Sequence, residues 1–289
     1  TWQDGWRAGL YLSFYGLDAA RKAQSFADAA IARAGAILGK LNAPPFSETS
    51  AEILGNECQF GTFGQSRDAR EVVLKLAAKH ADAAGAGLLL REAAGLGLAS
   101  PPGLSGFQGG RPKPSPVIRL FSCLCPRPMV DVRIELDGKS IDYAEPPLAN
   151  ARAPNSVRPE PPAKPDTSSG SVRVPLIALA WGRSGDKGNH ANIGIIARDP
   201  EFLPALWHGL SIDIVTERFA HFLEGPVERF YLPGSHAINF LLHDVLGGGG
   251  IASLRNDPQG KGYSQILLAT PIEIPTLLAQ RFNLTEALA

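Results

Sequence analysis

The chain has 289 residues, with 28 Lys plus Arg against 28 Asp plus Glu, and 44% of its residues are hydrophobic. A formal net charge of zero removes the global field that draws proteins to nucleic acid or to anionic membranes. No apolar stretch is long enough to cross a bilayer, and the length suits one large domain or two small ones.

The first residue is Thr1 and the single methionine is Met129. The sequence is therefore expected to be a fragment or processed piece, and no basic-then-apolar leader opens it. Cys58, Cys123 and Cys125 form an odd, sparse set, which argues against a disulfide scaffold and for a reducing compartment.

In chain order, Gly9–Tyr15 reads as a strand and Leu17–Leu41 as a helix, with Phe26, Ala30, Ala34, Ile37 and Leu41 at helical spacing. Asp18 sits where the helix dipole favours an anion. A strand is expected around Glu48–Leu54. Val72, Val73, Leu76 and Ala77 suggest a helix over Asp68–Ala83, continuing beyond Gly85 and Gly87 as a second one. Pro101–Pro116 is a loop by composition. Cys123 and Cys125 then lie in an apolar stretch rich in strand formers. Two residues apart on a strand they share a face and could chelate a metal, but free cysteines are more often small buried apolar groups, which is the reading adopted. Val130–Leu136 alternates, implying one buried face, and Asp137-Gly138 supplies a hairpin turn. The first lobe reads as helices on one face of an antiparallel sheet.

Ala144–Ser171 is dense in proline and serine, so residues 146–171 are expected to form an extended linker between a lobe at 1–145 and one at 172–289. The second lobe should start with a strand over Val174–Trp181, a loop over Arg183–Ala191 and a strand over Asn192–Ala197. Asp199-Pro200-Glu201 and Ser211 are helix starts. A strand over Val227–Leu232 and a helix over Ser235–Leu246 follow. Gly247–Gly250 then leads into two closing strands, Ile251–Arg255 and Tyr263–Ala269. The fold class is α+β, two helix-on-sheet sandwiches.

If the helices after Pro200 and Ser211 form an antiparallel pair, three loops meet at one sheet edge: Arg183–Ala191, Pro233–His236 and Asn256–Gly262. Gly185 and Gly188 permit positive φ, so the amides between them could form an anion-binding nest. Arg183 and Lys187 add charge, and Ser184, Asn189, Asn192, Ser235 and Asn239 supply polar groups. Asp186, Lys187 and His236 are the candidates for moving a proton. The same residue types also build any ordinary strand connection. No metal site is expected; His236 and His243, seven apart on the expected helix, are too distant to share an ion.

The strings "GRSGDKGNHANIGIIARDP", "VERFYLPGSHAINFLL" and "LGGGGIASLRNDPQGK" resemble the acyclic terpene utilisation family, AtuA. The second lobe resembles that family's C-terminal ferredoxin-like domain and the first lobe the later part of its N-terminal domain. The resemblance implies a cytoplasmic protein of acyclic terpene catabolism, such as that of citronellol and geraniol, through branched acyl-CoA intermediates. It implies an acyl-CoA or acid as ligand at Gly185–Gly188, and no cofactor beyond a CoA thioester as substrate. It carries over no catalytic residue. The alternative is a non-catalytic assembly module, in which the loop packs against another subunit of a homo-oligomer or against an upstream region. Neither nucleic acid nor a membrane is an expected partner.

Overall fold

Ala19, Ala23, Ala27, Ala30 and Ala34 recur along one helical stripe, and this is the stripe that α1 (Ala19–Lys40) buries, with Phe26 and Leu38 beside them. Small side chains let the helix lie close against a sheet, and the larger ones fill the gaps at crystal-like density. The computed structural model describes residues 1–66, 68–106, 110–143 and 158–284. The expected linker lies partly outside these; its described part, 158–170, contains no helix or strand before β8.

In the first lobe the strands are β1 (Trp2–Tyr15), β2 (Glu48–Leu54), β3 (Glu71–His80), β4 (Leu104–Ser105) and β5 (Ser115–Arg119), with α2 spanning Ala83–Leu96. The sheet runs β2-β3-β1-β4, every neighbour is antiparallel, and β5 also pairs with β1. This is the split β-α-β arrangement. Phe14, Val72, Leu74, Leu76 and Ala78 face α1 and α2 in one core. Asp82 caps α2 by accepting from the Gly85 amide at 2.7 Å.

The helix expected over Asp68–Ala83 is a strand for most of its length. From Leu74 to His80 every residue of β3 is buried, because the second lobe covers the sheet face opposite the helices. A strand buried on both faces loses the alternation that identifies strands in sequence. Lys75 and Lys79, each 6% exposed, pair with Glu52 at 2.6 Å and Glu48 at 2.5 Å on β2.

The chain between the lobes corrects two further expectations. Strands β6 (Ile134–Leu136) and β7 (Lys139–Ile141) form the hairpin around Asp137-Gly138, but among the described residues they pair only with each other, and both faces are exposed. Cys123 and Cys125 are exposed rather than buried, since β5 ends at Arg119 and no described element covers them.

The second lobe holds β8 (Ser171–Pro175), a helical turn α3 (Leu176–Leu179), β9 (Ala180–Lys187), β10 (His190–Ala197), α4 (Leu203–Gly209), α5 (Ile212–Arg218), β11 (Val227–Leu232), β12 (Ala237–Leu242), α6 (Tyr263–Leu268), β13 (Pro271–Pro275) and α7 (Thr276–Arg281). Its four-stranded sheet runs β11-β12-β10-β9, all antiparallel, and β13 pairs separately with β8. Strands β10 and β11, joined through α4 and α5, flank β12 as a second split β-α-β unit. Hairpin strand β9 fills the position that β4 fills in the first lobe. Both lobes therefore have a ferredoxin-like sheet order.

Helix starts are as the sequence implies: Asp199 accepts from the Glu201 amide and Ser211 from the Ile214 amide. Four assignments differ. Pro175 and the turn α3 split the strand expected over Val174–Trp181. The helix expected over Ser235–Leu246 is strand β12, whose Ala237, Ile238, Phe240 and Leu242 are buried. Ile251–Arg255 is no strand, and Tyr263–Leu268 is helix α6, not a strand.

Candidate functional site

The Gly-, Ser- and Asp-rich string at Arg183–Ala191 is a β-hairpin. Strands β9 and β10 pair in one unbroken register from Ala180↔Ala197 to Lys187↔His190, and only Gly188 of the string has a positive φ, +70°. The nest expected over Gly185–Gly188 does not form, because a nest needs alternating backbone conformations and Gly185–Lys187 are extended strand.

The two-residue turn is held from outside. Asn189 donates to Asp244 Oδ1 at 2.9 Å, its own Oδ1 accepts from the Gly248 amide at 2.7 Å, and its carbonyl accepts from Val245 and Leu246. Gly249 packs so closely that a Cβ there would lie 2.2 Å from the Gly188 carbonyl oxygen. Ser184, 8% exposed, donates to the Lys261 carbonyl at 3.1 Å and accepts from the Ser264 amide at 2.9 Å, fastening α6 to β9. Asp186 pairs with Lys261 at 3.3 Å. Ser184, Gly188 and Asn189 are thus occupied in holding the hairpin.

The register brings Arg183, Gly185, Lys187, Asn192 and Asn239 onto one sheet face, away from the helices. Asn192 donates to Asn239 at 3.4 Å. Ser235 and His236 are not part of this group. β11 runs opposite to β9, so Leu232↔Ala237 sits level with Ile196↔Trp181, at the far end from Lys187. That separation is on the order of 20 Å at the strand rise per residue. His236, in a left-handed conformation with φ 49°, therefore cannot share a proton with Asp186 or Lys187. The expected meeting of three loops fails because β11 does not run parallel to β9.

At the Lys187 end of this face, His243 bonds Glu228 through Nε2 at 2.7 Å, and its ring meets that of His190 edge-on at 4.7 Å between centroids. His190 Nδ1 accepts from the Asp244 amide, which places the ring proton on Nε2. Among the described residues no group of three or more His, Cys, Asp or Glu could hold a metal ion.

The concave space lies elsewhere, where the second lobe crosses the exposed side of the first sheet. Arg7 donates to the carbonyls of Ile251 at 2.6 Å and Ser253 at 3.2 Å, and the Asn256 amide donates to Glu52 at 2.7 Å. These contacts roof a cavity of about 280 Å³ over Gly9 and Ala77, with Arg7, Lys75, Lys113 and Arg255 in its walls. Arg255 is held by the carbonyls of Val245 and Phe222. Lys113 makes no hydrogen bond or ion pair with any described residue. Burial pushes the Lys75 ammonium below the usual lysine range, and Glu52 opposes that shift.

A second cavity, of about 610 Å³, shares Gly9, Leu10 and Tyr11 with the first and is otherwise mostly apolar, with Leu12, Leu90 and Leu104 in its wall. The two meet because β5 pairs with β1 only up to Arg7 and β4 only from Ser13. The Ala8–Leu12 edge of β1 is left without a described partner strand on that side. A cationic chamber and an apolar one thus sit on either side of one strand edge, a layout that can hold the head and tail of an amphipathic anion. None of its four cations was singled out by sequence. They are far apart along the chain, and Lys75 was assigned to a helix.

Residues 1–136 match the model described as acyclic terpene utilisation family protein AtuA, and residues 174–273 the one described as AtuA ferredoxin-like domain. Comparison with curated proteins and with solved structures found no match to the chain.

Proposed function

Since the chain belongs to the acyclic terpene utilisation family AtuA, we propose that it binds a branched-chain acyl acid or its CoA thioester in the paired chambers at the β1 edge. The observation that carries this reading is that the two cavities share Gly9, Leu10 and Tyr11, one lined by four cations and the other mostly by apolar residues, with Arg111 also in its wall. The larger lies within the roughly 300–1,000 Å³ usual for small-molecule sites. The hydrocarbon takes the apolar chamber, where each buried methylene contributes about 0.8 kcal/mol. The carboxylate or phosphate lies against Arg7 and Lys113. A charge-assisted bond to Lys113 is the most favourable of these contacts, because that ammonium has no partner to give up among the described residues.

Arg183, Lys187, Asn192 and Asn239 then serve a face distinct from the ligand chambers. Metabolism of acyl thioesters in the cytoplasm is the setting this reading implies.

Thermal unfolding with citronellyl or geranyl acids and their CoA thioesters tests it, with free CoA as the control. A ligand that binds only the folded state raises the melting temperature by mass action. A rise with the branched acid or thioester in wild type, reduced in Lys113→Glu, is the expected result. No rise at millimolar ligand, or an equal rise with free CoA alone, overturns the reading.

A further inference from the structure

The sheet face that carries Arg183 and Lys187 lies away from the helices; Ala237 is buried in it, and the Arg198 guanidinium lies 4.8 Å from the centre of the Trp181 ring. The face is graded from apolar at one end to polar at the other. Cross-strand partners put Trp181, Ile196, Ala237 and Leu232 in one row, then Arg183, Gly194, Asn239 and Phe230, then Gly185, Asn192, Leu241 and Glu228. Lys187, His190 and His243 close the polar end. Trp181 is 53% exposed, Ile196 47% and Leu232 44%, so one row alone exposes three large apolar side chains around the buried Ala237. An apolar cluster of that kind rimmed by charge marks an interaction site.

The charges are divided across the sheet. Strand β9 at one edge presents Arg183 and Lys187, and β11 at the other presents Glu228. The middle is uneven as well. A Cβ at Gly194 would meet nothing nearer than 3.8 Å, leaving a hollow, while Asn239 stands beside it with its amide nitrogen unpaired among the described residues.

We propose that this face is an isologous interface between two copies of the chain, packed sheet on sheet about a two-fold axis that runs along the strands. Such an axis superposes like rows. Trp181 of one copy lies over Leu232 of the other, and Ile196 over Ala237. Asn239 enters the hollow at Gly194, and Arg183 lies over the Phe230 ring. Glu228 faces Gly185, where Lys261 Nζ lies 3.1 Å from the Cβ position, with Lys187 alongside. A two-fold across the strands would instead set the tryptophan row against Lys187 and His190, burying charge on hydrocarbon. The division of sign between β9 and β11 is what a self-complementary surface requires. It also gives Asn239, Arg183 and Lys187 a shared task that the ligand chambers do not.

The test is the solution mass of the 289-residue chain by light scattering at tens of micromolar, read beside far-UV circular dichroism. Wild type is expected at twice the 30.7 kDa chain mass. Trp181→Glu is expected at the monomer mass with an unchanged spectrum, since that side chain is half exposed. Lys187→Glu and Glu228→Lys each weaken association about tenfold or more, and the double reversal restores it. A monomeric wild type, or a dimer that survives Trp181→Glu, overturns the proposal. So does a double reversal no tighter than either single change.

Discussion

Lys75 Nζ lies 2.6 Å from Glu52 Oε2, and the same oxygen accepts the Asn256 amide of the other lobe at 2.7 Å. One carboxylate therefore neutralises a buried cation in the first sheet and ties down the segment that roofs the cavity. Gln59 satisfies its second oxygen at 2.8 Å.

Glu52→Gln should be strongly destabilising, by about 3–5 kcal/mol, because it leaves the Lys75 ammonium buried without a counter-charge. Lys75→Met should cost less, since it removes the cation that needs neutralising. Urea unfolding of both variants checks the order. Equal or reversed costs would show that Glu52 does not act as the counter-charge of a buried Lys75.

Gly249→Ala should cost more than about 3 kcal/mol. At φ 71°, ψ 157° the backbone is in a region essentially closed to other residues, and the added carbon meets the Gly188 carbonyl. Gly234→Ala, where no atom lies within 4 Å of the Cβ position, should change stability little. The pair of melting curves separates a specific close approach from a general effect of removing glycine.

Ser184→Ala should cost about 1–3 kcal/mol through the Ser264 amide, which loses its acceptor inside the lobe. Hydrogen exchange is the sharper readout. Protection should fall at the start of α6 and remain on β12.

Tyr263 is buried, 1% exposed, and its hydroxyl donates to the Val245 carbonyl at 3.0 Å. Burial pushes its pKa up from 10.0 to about 12. The folded state therefore favours the protonated phenol. Its contribution is fully present below pH 10 and is lost as pH climbs through 12, a change of roughly 2–3 kcal/mol. Tyr263→Phe should be less stable than wild type at neutral pH, and its stability should fall less steeply between pH 10 and 12. Parallel slopes would contradict the assignment.

Local chemistry was legible in the sequence where it was decided locally. The alanine stripe of α1, the capping groups Asp199 and Ser211, and the Asp137-Gly138 turn all follow from side chains within a few residues of one another. The assignments that fail are those decided at long range. Strand β3 shows no alternation because the second lobe buries its other face. The hairpin at Gly188-Asn189 is braced by Asp244 and Gly248, more than fifty residues away, so its own string reads as a loose loop. The same holds for the chambers. Arg7, Lys75, Lys113 and Arg255 become one site only after two lobes pack together, and no spacing among them signals it. Arg183, Gly185, Lys187, Asn192 and Asn239 share one sheet face, with His236 at its opposite end, and not the loop-lined hollow expected for them.

The location of the ligand is the claim on which the functional account turns, and a crystal soaked with a bromine-tagged branched-chain acid tests it most directly. The account predicts an anomalous bromine peak among Leu12, Leu90 and Leu104, with the carboxylate within hydrogen-bonding reach of Arg7 or Lys113. A peak over the Arg183–Asn239 sheet face, with both chambers empty, would contradict it.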